Sequence, residues 1–155
     1  MDFSEQIVSA LMAYYQQEDW TFEFDGHHNT FLLEAQLECK LASARMITQV
    51  TEDTFFTYTV LPVTVDPAHR ITVGEFLHRA NYGLPRGNFE FDYDDGSIHY
   101  KTVFPCPNGT PSEKQLEESI SIGLTICDAY GDGIYGLTHD YESPAKTALD
   151  GLNIG

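Results

Sequence analysis

Apolar side chains recur along this chain in two rhythms. Over residues 3–17, Phe3, Ile7, Ala10, Leu11 and Tyr14 fall on one stripe at helical spacing. The segment predicts a helix with Asp2 as its N-cap and Glu5 at its positive end. Met12 and Tyr15 lie off the centre of the stripe and are expected to be exposed, as rim packing or as a partner contact. From Trp20 the rhythm becomes every second residue: Trp20, Phe22 and Phe24 alternate with polar positions until Asp25-Gly26 and the His27-His28-Asn29 loop interrupt. Residues 31–39 put Phe31, Leu33, Ala35, Leu37 and Cys39 on one side and Glu34, Gln36 and Glu38 on the other, the pattern of a half-buried antiparallel strand. Residues 45–51 and 54–61 predict two more strands joined at Glu52-Asp53. Pro62 and Pro67 then bracket a short extended connection.

Residues 72–104 read as helix, turn and hairpin. Thr72 and Glu75 have the spacing of a capping box, and Ile71 with Phe76 that of a hydrophobic staple. The helix buries Val73, Phe76, Leu77 and Ala80 and is expected to stop near Gly83, with Pro85 just beyond. Phe89, Phe91 and Tyr93 then alternate with Glu90, Asp92 and Asp94. A tight turn centred on Asp95-Gly96 sets Tyr93 opposite Ile98, Phe91 opposite Tyr100, Glu90 opposite Lys101 and Asp92 opposite His99.

After a loop at residues 105–109, Thr110 and Glu113 offer a second capping box with Pro111 in the first helical turn. Leu116, Ile120, Leu124 and Cys127 line one face of the helix that follows, and Ile122 and Ile126 add a second. So wide an apolar girth predicts burial on two sides, against the sheet and against something else. Gly131-Asp132-Gly133 is expected to fray or kink this helix, and Ser143-Pro144 to start a last short helical piece.

Composition narrows the possible roles. The 155 residues, 42% hydrophobic and 13% aromatic, fit one domain with a sizeable core. With 24 acidic against 8 basic residues the formal charge is −16, and no Lys/Arg cluster is available to displace counterions from phosphates, which argues against nucleic acid. The first basic residue is Lys40, so the first helix and strand present a negative polar surface. That surface serves solubility or, on a sharper reading, a basic partner. Cys39, Cys106 and Cys127, an odd number without metal spacing, suit reduced thiols in the cytoplasm. No basic-then-apolar leader and no apolar run of membrane-spanning length is visible, so neither secretion nor membrane insertion is expected. Asn108-Gly109-Thr110 has the letters of a glycosylation site and reads as a turn.

Nothing in the chain reads as a reaction centre, a cofactor site or a metal site. Residues 131–136, GDGIYG, carry the letters of a dinucleotide fingerprint, but they follow a helix instead of a strand, and Asp132 would repel a pyrophosphate. Asp92, Asp94 and Asp95 have calcium-loop character with the ligand spacing out by one residue. His27 and His28 point to opposite sides of an extended chain, and His69, His78, His99 and His139 are scattered singly. The only polar concentration of positive character is Arg79, Asn81 and Arg86 at the end of the middle helix. Either Asn81 satisfies helix carbonyls while the arginines pair with nearby acids, or the three contact a carboxylate of a partner.

The run EFLHRANYGLPRGNFEFDYDDGSIHYKT resembles the central signature of the YbjN family, bacterial proteins described as sensory transduction regulators, and is most similar to its cyanobacterial and plastid-type members. Trp20-Thr21-Phe22, the strand from Phe55 to Leu61-Pro62 and the late Ser143-Pro144 sit in the family's order, so the resemblance covers nearly the whole chain. Pro85-Arg86 replaces a usual apolar pair, and the final helix has extra glycines. The resemblance implies an α+β fold similar to type III secretion chaperones: N-terminal helix, three-stranded antiparallel meander, middle helix, β-hairpin and C-terminal helix. It also implies homodimers and supplies no catalytic residues. Together these readings predict a non-enzymatic regulator or adaptor that binds another protein, with Arg79, Asn81, Arg86, Ile122 and Ile126 as candidate contacts. The alternatives are a small-molecule sensor or a hydrolase with a pocket between the sheet and the last helix, or a factor that buffers assembly of a larger complex.

Overall fold

The computed structural model describes residues 3–139. Helix α1 (Glu5–Gln17) precedes four strands, β1 (Phe22–Asp25), β2 (Thr30–Gln36), β3 (Ser43–Val50) and β4 (Thr54–Thr64). A 3₁₀ turn, Pro67–His69, leads into α2 (Arg70–Asn81); then come β5 (Asn88–Phe91), β6 (Ser97–Pro105) and the long α3 (Glu113–His139). The strands form one sheet in the order β1-β2-β3-β4-β6-β5, every neighbouring pair antiparallel. This is the expected α+β arrangement. The short β1 lengthens the meander to four strands, and the hairpin joins it through β6.

The helices cover one face of the sheet. Under α1, Ile7, Leu11 and Tyr15 meet Phe31, Leu33, Met46, Phe55 and Phe104. Under α2 and the second half of α3, Val73, Phe76, Cys127, Tyr130 and Ile134 meet Leu61, Phe89, Ile98 and Tyr100. Each large apolar side chain removed from water in this way contributes roughly 1.5–3 kcal/mol. Between the two clusters runs a buried row of threonines, Thr48, Thr57 and Thr102, aligned across β3, β4 and β6. Tyr15, expected to be exposed at the rim of α1, is fully buried, and its hydroxyl meets Thr48 Oγ1 at 2.9 Å. Helix α1 therefore turns Ile7, Val8, Leu11 and Tyr15 inward, while Tyr14 is only half-buried.

Several local signals are answered by neighbouring residues. Ser4 caps α1, its Oγ accepting from the Ile7 amide at 3.1 Å, while the Ser4 amide donates to Thr51 O and ties the helix start to the end of β3. Asp2 and Ser143-Pro144 lie outside the described residues. Pro62 does not end its strand. β4 runs through it to Thr64, with a register shift between Val60 and Thr64, where a missing amide breaks no regular ladder. Helix α2 starts at Arg70, not at Thr72, because the 3₁₀ turn after Pro67 runs directly into it and Arg70 is anchored to the carbonyls of Val65, Tyr93 and Asp94. The Thr72–Glu75 box is therefore not formed: Glu75 accepts from Arg79, and Ile71, 81% exposed, does not staple to the buried Phe76. The helix ends as expected before Gly83, at φ +88°.

The hairpin keeps its predicted faces but slips by two residues. Phe91 opposes Ile98, Phe89 opposes Tyr100, and Glu90 opposes His99. Asp92 pairs with Ser97 through its amide at 3.0 Å, so the turn is a wider loop stabilised by Asp92 and Asp95 carboxylates on the amides of Asp94 and Ser97. Tyr93 leaves the strand and lies over Gly74 of α2 and against Phe91. Packing of that ring against α2 outweighs the tight turn.

Helix α3 is capped by Ser112 and Gln115, a reciprocal box two residues beyond the one expected at Thr110 and Glu113. It does not fray at residues 131–133 but continues to His139. Asp128 accepts from the amides of Glu38 and Cys39, and Asp132 from that of Lys40, so one face of the helix satisfies the chain leaving β2. The glycines are sites of close approach: a Cβ on Gly131 would stand 2.3 Å from Cys39 Sγ, and one on Gly123 2.0 Å from Thr59 Oγ1.

Gly123→Ala should therefore destabilise the protein by about 1–3 kcal/mol in urea unfolding despite alanine's better helix propensity. Thr59→Ala in the same chain should recover most of that loss. Burial pushes the hydroxyls of Tyr15 and Tyr100 up to about 12. The folded chain keeps these protons while the unfolded chain releases them near pH 10. Stability should be at its full value below pH 10 and fall as pH rises towards 12, and Tyr15→Phe should flatten that fall in unfolding curves across the range.

Candidate functional site

The loop between α2 and β5 turns Pro85 and Arg86 towards the first half of α3. With Glu118, Ser121, Ile122, Thr125 and Ile126 they line a shallow depression of about 260 Å³. Arg86 Nη1 donates to Glu118 Oε2 at 3.0 Å, and its guanidinium stands 5.6 Å from the Phe104 ring centre. The Arg86 carbonyl accepts from the buried Tyr100 hydroxyl, which holds the loop in place. Ile122 and Ile126 are half-buried, one turn apart along the floor, with exposed Ser121 and Thr125 beside them. The depression is an apolar strip bordered by an ion pair whose charges cancel.

Three of the five residues singled out by sequence, Arg86, Ile122 and Ile126, thus share one surface. The other two lie apart from it. Asn81 brackets β5: its Nδ2 donates to Phe89 O at 3.0 Å and its Oδ1 accepts from Phe89 N at 2.7 Å, so the carboxamide occupies the outer edge of the hairpin like a short extra strand. Arg79 lies on the outer side of α2, both its Nε and Nη2 donating to Glu75 Oε1 at 3.1 Å. The expected pairing of the arginines with acids is met. Asn81 serves a strand instead of helix carbonyls.

Titratable groups elsewhere are engaged singly. His28 Nδ1 lies 2.6 Å from Asp25 Oδ2, and that contact holds the Asp25 carboxyl below its usual range. His99 meets Glu90 at 2.7 Å, not Asp92, because of the register of the hairpin. Among the described residues no three His, Cys, Asp or Glu side chains gather as a metal site. Residues 131–136 are all inside α3, so their glycines face no helix N-terminus. The three cysteines are free thiols, and burial pushes Cys39, Cys106 and Cys127 all upward, which disfavours the nucleophilic thiolate. A recess of about 230 Å³ opens between the end of β4 and the end of α3, where Asp66, His69 and His139 are found, and His139 Nδ1 is held by Tyr135 O at 2.8 Å.

Sequence reasoning missed the exposed aromatic and aliphatic groups of the α2 side, Ile71 and Tyr82, and the apolar positions on the second face of the sheet. The signal for the latter is present in β4. Phe55, Thr57, Thr59 and Leu61 are buried, while the alternate Phe56, Tyr58 and Val60 are also apolar and stay half-exposed.

A family model described as "YbjN: Putative bacterial sensory transduction regulator" matches residues 8–135. Among curated proteins none matches the chain. Among solved structures, it is similar to one described as "Crystal structure of YbjN, a putative transcription regulator from E. coli", with a TM-score of 0.54 and 11% sequence identity over 80% of this chain and 93% of that one. That likeness is one of fold.

Asn81→Ala should leave the Phe89 amide without its partner and its carbonyl with Asn88 Nδ2 alone, and cost about 1–3 kcal/mol, with faster amide exchange at Phe89. Arg86→Ala removes an exposed ion pair and should cost no more than about 1 kcal/mol in the same urea titration.

Proposed function

The chain belongs to the YbjN family, and from that premise we propose that it is a regulator that works by binding another protein, as a homodimer, without chemistry of its own. The observation that carries this reading is the strip formed by Ile122 and Ile126. Two isoleucines on the most extensive helix remain half-uncovered after the fold is complete, next to a neutralised Arg86–Glu118 pair. Such a surface can take an apolar segment of a partner without burying an unpaired charge. Asn81 would support it indirectly by holding β5, while Arg79, on the outer side of α2, would take no part in this strip. The regulatory description of the family supports the same reading. An adaptor resembling a secretion chaperone, working in the cytoplasm, is its most specific form, and three free thiols suit that compartment.

The test is affinity capture from the native host with wild-type chain and with Arg86→Glu and Ile126→Asp as baits, read by quantitative mass spectrometry. A genuine partner should fall at least tenfold with both variants while they keep the wild-type melting curve. Recovery of the same prey at equal yield would overturn the assignment of this strip.

A further inference from the structure

All three helices lie on one face of the sheet, and among the described residues nothing covers the other. By register, Leu32, Ile47 and Tyr58 follow one another across β2, β3 and β4, flanked by Phe56 and Val103 on one side and by Val60 on the other. Val103 is 43% exposed and the rest are half-buried only by their neighbours. The polar groups stand around them. Glu34, Arg45, Val60, His99 and Glu90 form one row across the sheet, and Lys101 sits over the rings of Phe56 and Tyr58 at 5.3 and 5.9 Å.

Two quantities identify what fits here. The first is charge. The chain carries −16, yet around this apolar row Arg45 and Lys101 balance Glu34 and Glu90, which leaves Glu23 and Asp25 of β1 as an acidic margin. Two copies of an acidic chain repel each other over most of their surface and least across a patch of mixed sign. A basic partner, by contrast, would be drawn to the acidic surfaces elsewhere. The second is size. The six strands, four to eleven residues long, at about 4.8 Å spacing and about 3.4 Å per residue outline roughly 700 Å². Once corrugation is included, this approaches the roughly 800 Å² that each side of a standard interface contributes. An apolar centre inside a polar rim is the usual composition of such an interface.

We propose that a second copy of this chain covers this face, the two sheets packing against each other about a twofold axis with Ile47, Tyr58 and Val60 at the centre. The inference rests on the homodimeric reading above and assigns its surface, which is separate from the α3 strip.

Sedimentation velocity on the full chain from 5 to 100 µM tests it. Wild type should run as a dimer, and raising NaCl from 50 to 500 mM should leave it intact or tighten it, because salt screens the repulsion between acidic copies. Ile47→Lys and, separately, Val103→Glu should weaken association at least a hundredfold with unchanged circular dichroism. Val103 is already at the surface, so its variant tests the face even if the first fails to fold. Arg86→Glu and Ile126→Asp should not change the mass. A folded Val103→Glu that remains a dimer with wild-type affinity overturns this face alone and leaves dimerisation standing. A wild-type monomer at 100 µM overturns both, without touching partner capture by α3.

Discussion

Helix α3 can lie flat on the sheet only because it has glycine where it crosses buried side chains. Gly123 passes over Thr59 and Gly131 over Cys39, and at both a methyl group would occupy the neighbour's space. The close approach lets Asp128 and Asp132 reach the amides of residues 38–40, which leave β2 and have no ladder partner of their own. One helix thereby joins the two apolar clusters on either side of the threonine row. If it were lifted by the thickness of a methyl group, both the packing and these bonds would weaken together.

Covering a six-stranded sheet from one side has a direct consequence for surface chemistry. The apolar material on the covered face is shut away, including the buried thiols of Cys106 and Cys127, while Cys39 is only partly covered. Among the described residues, apolar side chains remain outside at the Ile122–Ile126 strip, at Ile71 and Tyr82 on the α2 side, and on the open sheet face. The chain's strongly acidic character confines close approach by other acidic chains to places where charge is balanced.

Much of the candidate site could be read in advance because Ile122 and Ile126 fall off the main stripe of α3, so they had to emerge beside it. That Arg86 would border them was not legible. It follows from the loop after Gly83 being tied down by Tyr100, a contact between residues far apart in the sequence. The same holds for Asn81, whose role depends on β5 passing beside the end of α2. Caps were misplaced by two or three residues wherever a competing anchor existed: Thr51 for α1, the carbonyls around Arg70 for α2, and Gln115 for α3.

Periodicity alone determined the kinds of element and their order, because the spacing of buried side chains is a property of each helix or strand by itself. It also determined which face of β5 and β6 is buried, since a slip of two residues preserves every face. Only the tertiary structure decided the register of that hairpin, the continuity of α3 through its glycines, and the side of the sheet that the described residues leave bare. Each of these depends on what a distant segment offers at close range: a ring over Gly74, amides for Asp128 and Asp132, and three helices that all choose the same face.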